Sequence, residues 1–74
     1  MATATSVQFQ GWLSDQMQRR RMSARELARE LGIAPATATE WRYRGRIPVP
    51  ENCRMLARYF GVGESEVLAI AGWD

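Results

Sequence analysis

The 74-residue sequence contains no histidine, no lysine and a single cysteine, Cys53. Without histidine there is no imidazole to act as a general acid, a general base or a metal ligand, and one cysteine cannot build a structural zinc site or an internal disulfide. A P-loop and a dinucleotide-binding glycine loop are also missing. We therefore expect no catalytic residue, no metal and no cofactor, and we expect Cys53 to be a small buried core residue.

Long hydrophobic runs are absent too, because no stretch approaches the roughly 18 apolar residues that span a bilayer. The opening segment MATATSVQFQ lacks the charged and then apolar layout of a signal peptide. We therefore expect a cytoplasmic protein with no membrane partner. The composition, 46% hydrophobic and 24% charged, is that of a folded domain with one modest core. We expect a single domain over residues 1–74, with residues 1–4 disordered.

All ten basic residues are arginine, and their distribution is uneven. Between Arg19 and Arg46 eight arginines accompany three glutamates, whereas from Ile47 onward two arginines accompany four carboxylates. Arginine is suited to bidentate contact with phosphate or guanine, so the central segment favours nucleic acid as a partner. A genome rich in G and C would enrich arginine equally well. The run at residues 19–21 fits a solvated helix end and a phosphate contact equally.

Hydrophobic spacing and helix punctuation predict five short helices. Their predicted ranges are 5 to about 20, 24–31, 35 to about 44, 50 to about 59, and from 63 or 64 to 71. The predicted inner residues are Phe9, Trp12, Leu13, Met17, Leu27, Ala28, Leu31, Ala38, Trp41, Cys53, Leu56, Ala57 and Phe60. Thr5 with Gln8 fits a capping box at the start of the first helix.

The stretch from Ser23 to Arg46 is the most strongly specified part of the chain. Ser23 and Glu26 have the spacing of a capping box, and Met22 with Leu27 fits a hydrophobic staple around it. Gly32 suits the left-handed residue that ends a helix. In the second helix, Glu26 and Glu30 lie one turn apart among arginines, which favours a solvated, salt-paired face over an acid–base pair.

The third predicted helix has few large apolar residues. Pro35 suits its first position, but Ala34 at the N-cap has no side-chain oxygen to accept from the first amides. When Ala38 and Trp41 face the core, the outer side carries small and polar residues, and such a helix can lie against a bulky partner. The residues of that side and its flanks are Ala36, Thr37, Thr39, Glu40, Tyr43 and Arg44.

Ala28, Gly32 and Trp41, with Ile33 in the turn, resemble the helix-turn-helix of the lambda repressor/Cro-like (XRE-type) DNA-binding family. In that family an alanine is followed by a glycine four positions on, a branched aliphatic six further on, and a large apolar residue three after that. Ala38 departs from the pattern because it is too small. The resemblance covers nearly the whole chain. It implies an all-α, five-helix fold in which helices 2 and 3 form the helix-turn-helix and helix 3 enters the major groove.

The resemblance also implies which residues contact DNA. The family's base-contacting positions fall on Pro35, Ala36 and Glu40, but Pro35 and Ala36 offer only apolar contact, so readout shifts along the helix. Glu40 is suited to accept from cytosine N4, and Arg44 or Arg46 to donate to guanine. The expected base-contacting residues are Ala36, Thr39, Glu40, Tyr43 and Arg44, and the expected backbone-contacting residues are Ser23, Arg25, Thr37, Arg42 and Arg46.

The function that the resemblance implies is sequence-specific binding of double-stranded DNA by a transcription regulator. Its simplest form is a repressor that binds as a dimer to a pseudo-palindromic operator. The wide apolar content of the fifth helix favours a homodimer through Val67, Leu68, Ile70 and Trp73, although the same residues would also close a small core. The alternative is a protein-binding module or antitoxin-type partner on the same fold, with the third and fifth helices as its interface.

Overall fold

The computed structural model describes residues 4–73, and within this range the regular secondary structure is entirely α-helical. Its helices are α1 (Ala4–Arg19), α2 (Ala24–Leu31), α3 (Pro35–Tyr43), α4 (Pro50–Phe60) and α5 (Glu64–Ile70). The predicted all-α fold with five helices is confirmed, and the predicted bounds of α2 are reproduced. Among the described helices, none has both the length and the apolar content needed to cross a membrane.

Helix α1 begins earlier than the sequence predicted. Ala4 is already helical, so Thr5 lies inside the first turn and the predicted N-cap at Thr5 is wrong. A Cβ added to Gly72 would lie 3.1 Å from Thr5 Cγ2, which shows how closely this turn approaches the end of α5. The local capping signal at Thr5 therefore does not set the start of α1, and Thr5 instead lies beside the end of α5. Of the residues predicted to be disordered, 1–3 lie outside the described range.

The turn between α1 and α2 places an arginine in an unusual conformation. The Met22 amide donates to the Met17 carbonyl at 3.0 Å, which closes the end of α1. Arg21 sits at the left-handed position of this closure with φ 52°. That position is most often glycine, because a Cβ makes the left-handed conformation costly.

Helix α2 has the ends that the sequence predicted. The Ser23 amide donates to Glu26 Oε1 at 2.8 Å, and the Glu26 amide donates to Ser23 Oγ at 3.1 Å, so the capping box is confirmed. Gly32 ends the helix with φ 70°, and the Ile33 amide donates to the Ala28 carbonyl at 3.0 Å. The chain then turns tightly into α3.

Helix α3 starts at Pro35 and ends at Tyr43, one residue short of the predicted end. Gly45 adopts φ 73°, and the Arg46 amide donates to the Glu40 carbonyl at 3.2 Å. The chain after the helix is thereby folded back against its last turn. Residues 46–49 then lead to Pro50, the first residue of α4.

One core contains side chains from all five helices. The fully buried large residues include Phe9, Leu13, Leu27, Trp41, Leu56 and Val67. Ala38 is also fully buried, and the large Trp41 and Phe9 side chains in the same core offset its small volume. Cys53 is buried, as predicted, and its Sγ lies 3.5 Å from the Pro48 carbonyl oxygen.

The buried position of Val67 corrects the predicted dimer surface. Val67 is 0% exposed in the single chain, so it belongs to the core and is not available to a second subunit. Leu68 and Ile70 are half-buried against the core, while Trp73 remains 48% exposed. Trp73 Nε1 donates to the Pro48 carbonyl at 2.8 Å, which fixes the indole beside the linker before α4.

Candidate nucleic-acid interface

The outer side of α3 carries the residues predicted to contact DNA bases. Ala36, Tyr43 and Arg44 are exposed, and Thr39 and Glu40 are half-buried. The opposite side is fixed because Ala38 and Trp41 are buried in the core. The structure therefore presents these five side chains along, or at the end of, a helix whose rotation is set by packing.

The residues predicted to contact the DNA backbone are distributed over three places. Ser23 and Arg25 lie exposed at the start of α2, Thr37 and Arg42 are half-buried on α3, and Arg46 is exposed in the linker after α3. Ser23 Oγ accepts from the Glu26 amide, and the Ser23 side chain also lowers the pKa of the Glu26 carboxyl by hydrogen bonding. A phosphate contact at Ser23 would therefore compete with Glu26 for the hydroxyl hydrogen.

The start of α3 is apolar and lacks a side-chain cap. Ala34, Pro35 and Ala36 are all exposed, and no side chain accepts from the first amides of the helix. The Thr37 amide donates to the Ala34 carbonyl at 3.0 Å, and Pro35 has no amide hydrogen. Within residues 4–73, the Ala36 amide is the donor of this first turn that finds no acceptor.

Glu40, in the middle of α3, is bonded to Arg46. Arg46 Nη1 lies 3.3 Å from Glu40 Oε1 and 3.4 Å from Oε2. Their side chains are 37% and 65% exposed, respectively. Residues six apart do not face each other on a regular helix, so helical spacing could not predict this pair. The sequence signal that could have indicated the Glu40–Arg46 pair is Gly45 itself, because its positive φ turns the chain back after α3.

A second contact at the end of α3 joins two neighbouring residues. The Arg42 guanidinium carbon lies 4.6 Å from the centre of the Tyr43 ring, which is a cation–π distance. Tyr43 is 64% exposed, so its ring is held by Arg42 and not by the core. Adjacent residues on a helix diverge in direction, so helical spacing could not predict this contact.

Arginines around α2 and α3 differ from those elsewhere in how they are paired. Within the described range, no carboxylate forms an ion pair with Arg25, Arg29, Arg42 or Arg44, and we call these four the unpaired arginines. By contrast, Arg19 pairs with Asp15 at 3.1 Å, and Arg54 and Arg58 lie 3.9 and 3.8 Å from Glu64. Arg19, Arg54 and Arg58 on α1 and α4 thus have a carboxylate within ion-pair distance, whereas the four unpaired arginines have none in the described range.

The three consecutive arginines after α1 have three different environments. Arg19 forms the ion pair with Asp15, and Arg20 packs against Phe60. Arg20 Nη2 donates to the Phe60 carbonyl at 3.2 Å, and its guanidinium carbon lies 4.7 Å from the Phe60 ring centre. Arg21 has no ion-pair partner among residues 4–73 and lies two residues before Ser23, the N-cap of α2. Only Arg21 of this run therefore lies free beside the predicted backbone contacts.

The carboxylates of α2 correct one further prediction. Glu26 is committed to the cap, and Glu30 accepts from the Tyr59 hydroxyl at 3.5 Å. This face is exposed, as expected, but neither carboxylate comes within ion-pair distance of an arginine in the described range, so the expected salt pairing is limited to the electrostatic effect of Arg29 on Glu26. The two bonds from Ser23 lower the pKa of Glu26, with the donation from the Ser23 backbone amide as the larger cause.

The surface offers a convex face and no cleft. Residues 4–73 contain no pocket, and no three His, Cys, Asp or Glu side chains in that range are grouped to hold a metal ion. What the arrangement offers chemically is a short helix with exposed hydrogen-bonding groups, flanked by free guanidinium groups. These are the groups that contact base edges and phosphates in nucleic-acid complexes.

Comparison with known proteins gives one match. A family model described as helix-turn-helix matches residues 13–67, which is most of the chain. The matched segment begins inside α1, contains the whole of α2, α3 and α4, and ends inside α5. Comparisons with curated proteins and with solved structures found no significant match.

Proposed function

The chain belongs to the lambda repressor/Cro-like helix-turn-helix family of DNA-binding transcription regulators, and from that membership we propose that it recognises specific sites in double-stranded DNA. In this proposal α3 lies in the major groove and α2 crosses the DNA backbone. The protein acts as a repressor, because a domain bound across a promoter excludes other proteins by occupancy. The observation that carries the proposal is the set of unpaired arginines on α2 and α3.

The unpaired arginines are important because counterion release provides much of the affinity for DNA. An arginine already bonded to a carboxylate must give up that bond before it neutralises a phosphate. Arg25 and Arg42, together with Arg29 and Arg44, need not do so. The paired arginines on α1 and α4 contribute less for the same reason.

We assign base contacts to the exposed outer side of α3, from its start to its end. Ala36 offers only its methyl group and is suited to a thymine methyl, whereas Arg44 is suited to guanine O6 and N7. The full set is Ala36, Thr39, Glu40, Tyr43 and Arg44. Backbone contacts are assigned to Ser23, Arg25, Thr37 and Arg42. Arg46, the fifth backbone contact predicted from the sequence, is bonded to Glu40 and receives a different role.

The dimensions of the domain favour a dimer on DNA. A nine-residue α3 is about 13 Å long and covers roughly four base pairs. The described chain measures 27 × 27 × 21 Å along its principal axes and has a single α3, so one copy fills one major groove, and successive major grooves lie about 34 Å apart. Two copies related by a two-fold axis fit that separation, and they require an operator of approximate two-fold symmetry.

The surface proposed for dimerisation is smaller than the sequence suggested. With Val67 in the core, it consists of Leu68, Ile70 and Trp73 at the end of α5. Trp73 is a suitable anchor because its indole is fixed by the Pro48 carbonyl yet remains half exposed. Sedimentation equilibrium of Trp73→Phe, with DNA-free protein, tests the assignment. A variant that self-associates like the wild type excludes this surface.

The DNA-binding proposal is tested by selecting bound sites from random DNA and measuring affinity for the selected site at several salt concentrations. Changing Arg25, Arg42 and Arg44 together to alanine removes two proposed phosphate contacts and one base contact from each copy, so for a dimer we expect the slope of log affinity against log salt to fall in magnitude by about four. The matched control changes Arg19, Arg54 and Arg58 to alanine, which removes the same charge. Equal losses in both variants, or no recovered site, would contradict the proposal.

Repression and the protein-partner alternative need separate experiments. A reporter gene with the selected site over its promoter should be expressed less when the protein is present, and increased expression would indicate an activator. The exposed Val7, Val49 and Trp73 side chains are the observation that keeps a protein partner as the second candidate. If the immobilised protein retains a second protein but binds no selected DNA, the protein-partner candidate is favoured.

A further inference from the structure

Glu40 is the single carboxylate of α3, and it lies on the side assigned to the bases. DNA phosphates repel a carboxylate, so an uncompensated glutamate there weakens binding to every sequence. Arg46 compensates this charge through one nitrogen, Nη1, which contacts both carboxylate oxygens. The other guanidinium nitrogens of Arg46 have no acceptor among the described residues.

The backbone holds the same two residues together. The Arg46 amide donates to the Glu40 carbonyl at 3.2 Å, so the start of the linker is fixed to α3 independently of the ion pair. Gly45 at φ 73° makes this reversal possible. The backbone of Arg46 is therefore already fixed when the ion pair forms, which reduces the conformational entropy lost on forming the ion pair.

We propose that Arg46 is a positioning residue for Glu40, and that this ion pair reads one C·G base pair as a unit. The inference rests on the proposed function, since it requires α3 in the major groove. Glu40 accepts from cytosine N4, while a guanidinium N–H that is not bonded to Glu40 faces guanine O6 of the same pair. Arg46 then contributes to base preference and makes no independent phosphate contact.

The edge of a C·G pair explains why the two side chains act together. Cytosine presents its N4 donor next to guanine O6, which is an acceptor. A bare carboxylate that accepts from N4 also approaches O6 and is repelled by it. A guanidinium beside the carboxylate places a donor against that acceptor, so the pair matches the pattern of donor and acceptor on the base pair.

The experiment compares base preference and salt dependence in Glu40→Gln, Arg46→Ala and the double variant. Each protein is tested on the selected site and on sites with each other base pair at every position. We expect both single variants to lose preference at the same C·G pair by roughly 5- to 150-fold, and the double variant to lose no more than either. The salt slope of Arg46→Ala should stay at the wild-type value.

A phosphate contact by Arg46 gives a different result. Arg46→Ala would then weaken binding to all sequences alike and lower the salt slope of the dimer by about two, with no change in base preference. Additive losses in the double variant would overturn the proposal as well. Failure of every variant and of the wild type to prefer any site would instead contradict the DNA-binding proposal itself.

Two controls separate positioning from folding and from general charge. Arg58→Ala removes an exposed arginine that also pairs with a glutamate, and it should leave base preference unchanged. Arg46→Lys retains the charge but not the fork of donors, so it should restore general affinity without restoring preference at the C·G pair. Thermal unfolding of each variant shows whether it is folded, and base preference is compared among the folded proteins.

Discussion

Ser23 and Glu26 cap each other at the start of α2. The Ser23 amide reaches Glu26 Oε1 at 2.8 Å, and the Glu26 amide reaches Ser23 Oγ at 3.1 Å. The bond from the Ser23 amide stabilises the charged form of the carboxyl and is the largest cause that lowers the pKa of Glu26 below its ordinary 4.5, and the Ser23 side chain lowers it further. The same residue is therefore both a helix cap and a source of pH dependence.

Acid should weaken this cap. Because the pKa of Glu26 is lower in the folded state, its contribution to stability is present above pH 4.5 and is lost as the pH falls through the folded value. Glu26→Gln replaces the carboxylate by a neutral acceptor that does not titrate in this range. Urea unfolding from pH 3 to pH 7 should show the wild type more stable at pH 7 and the two proteins converging in acid. A constant difference across this range would contradict the prediction.

Arg21 occupies a backbone position that suits glycine. Its φ of 52° costs an L-residue roughly 1 kcal/mol, so we expect Arg21→Gly to raise the free energy of unfolding by about that amount. The matched variant is Gly32→Ala, which has a similar φ and open space around the new Cβ and should lose about 1 kcal/mol. Denaturant unfolding measures both.

The affinity of the same Arg21 variant for DNA gives a second measurement. If the side chain contacts a phosphate, Arg21→Gly binds DNA more weakly although it is more stable. Unchanged affinity would identify Arg21 as a solvated helix end, and unchanged stability would contradict the strain argument.

Much of the fold could be predicted because its signals are local. The bounds of α2 follow from a serine three residues before a glutamate and a glycine after the last apolar residue, and each acts through bonds within one turn. The start of α1 shows the limit of this reasoning. Thr5 has a capping signal, but it lies inside the helix and beside Gly72 at the end of α5. Tertiary contacts are not encoded in the spacing of neighbouring residues.

The candidate interface was predictable in its location but not in its internal contacts. The exposed side of α3 follows from the inward positions of Ala38 and Trp41, since one fixed face determines the other. The bond between Glu40 and Arg46 crosses a helix end, where the 3.6-residue period no longer applies. Which arginines are free depends on where distant carboxylates lie, as Glu64 beside Arg58 shows. That information is present only in three dimensions.

Ala38 is the residue at which the sequence departs most clearly from its family. It is fully buried in the same core cluster as the large Trp41 and Phe9 side chains. We therefore expect Ala38→Leu, the change toward a branched aliphatic, to destabilise the protein by about 1 to 3 kcal/mol through overpacking. Ala36→Leu on the exposed side is the matched control and should change stability little. A neutral or stabilising Ala38→Leu would show that the core has unused space.

The thiol of Cys53 should be unreactive in the folded protein. Burial raises the pKa of Cys53 from its ordinary 9.0 to about 11, so the thiolate population at pH 8 falls about 100-fold. Alkylation by iodoacetamide should accordingly be slow in buffer and fast in urea. Because the pKa of Cys53 is higher in the folded than in the unfolded state, folding binds the proton more tightly. The resulting stabilisation is present below pH 9 and is lost as the pH rises from 9 toward 11. Fast labelling without denaturant would contradict the buried assignment.

The start of α3 is the place where one added oxygen should stabilise the free protein. Ala34 is the N-cap residue with extended backbone angles, φ −66° and ψ 138°, and it has no side chain able to accept from the helix amides. The Ala36 amide is without an acceptor in the described range, and a serine hydroxyl at position 34 can reach it or the Thr37 amide. We expect Ala34→Ser to add about 0.5 to 2 kcal/mol to the free energy of unfolding.

The control for the added oxygen is Ala36→Ser. It places the same hydroxyl two residues further on, past the N-cap, where serine is a weaker helix former than alanine, and it should give no gain. Thermal and urea unfolding of both variants decide the matter. An unchanged melting temperature for Ala34→Ser would mean that water already satisfies these amides as well as a hydroxyl does.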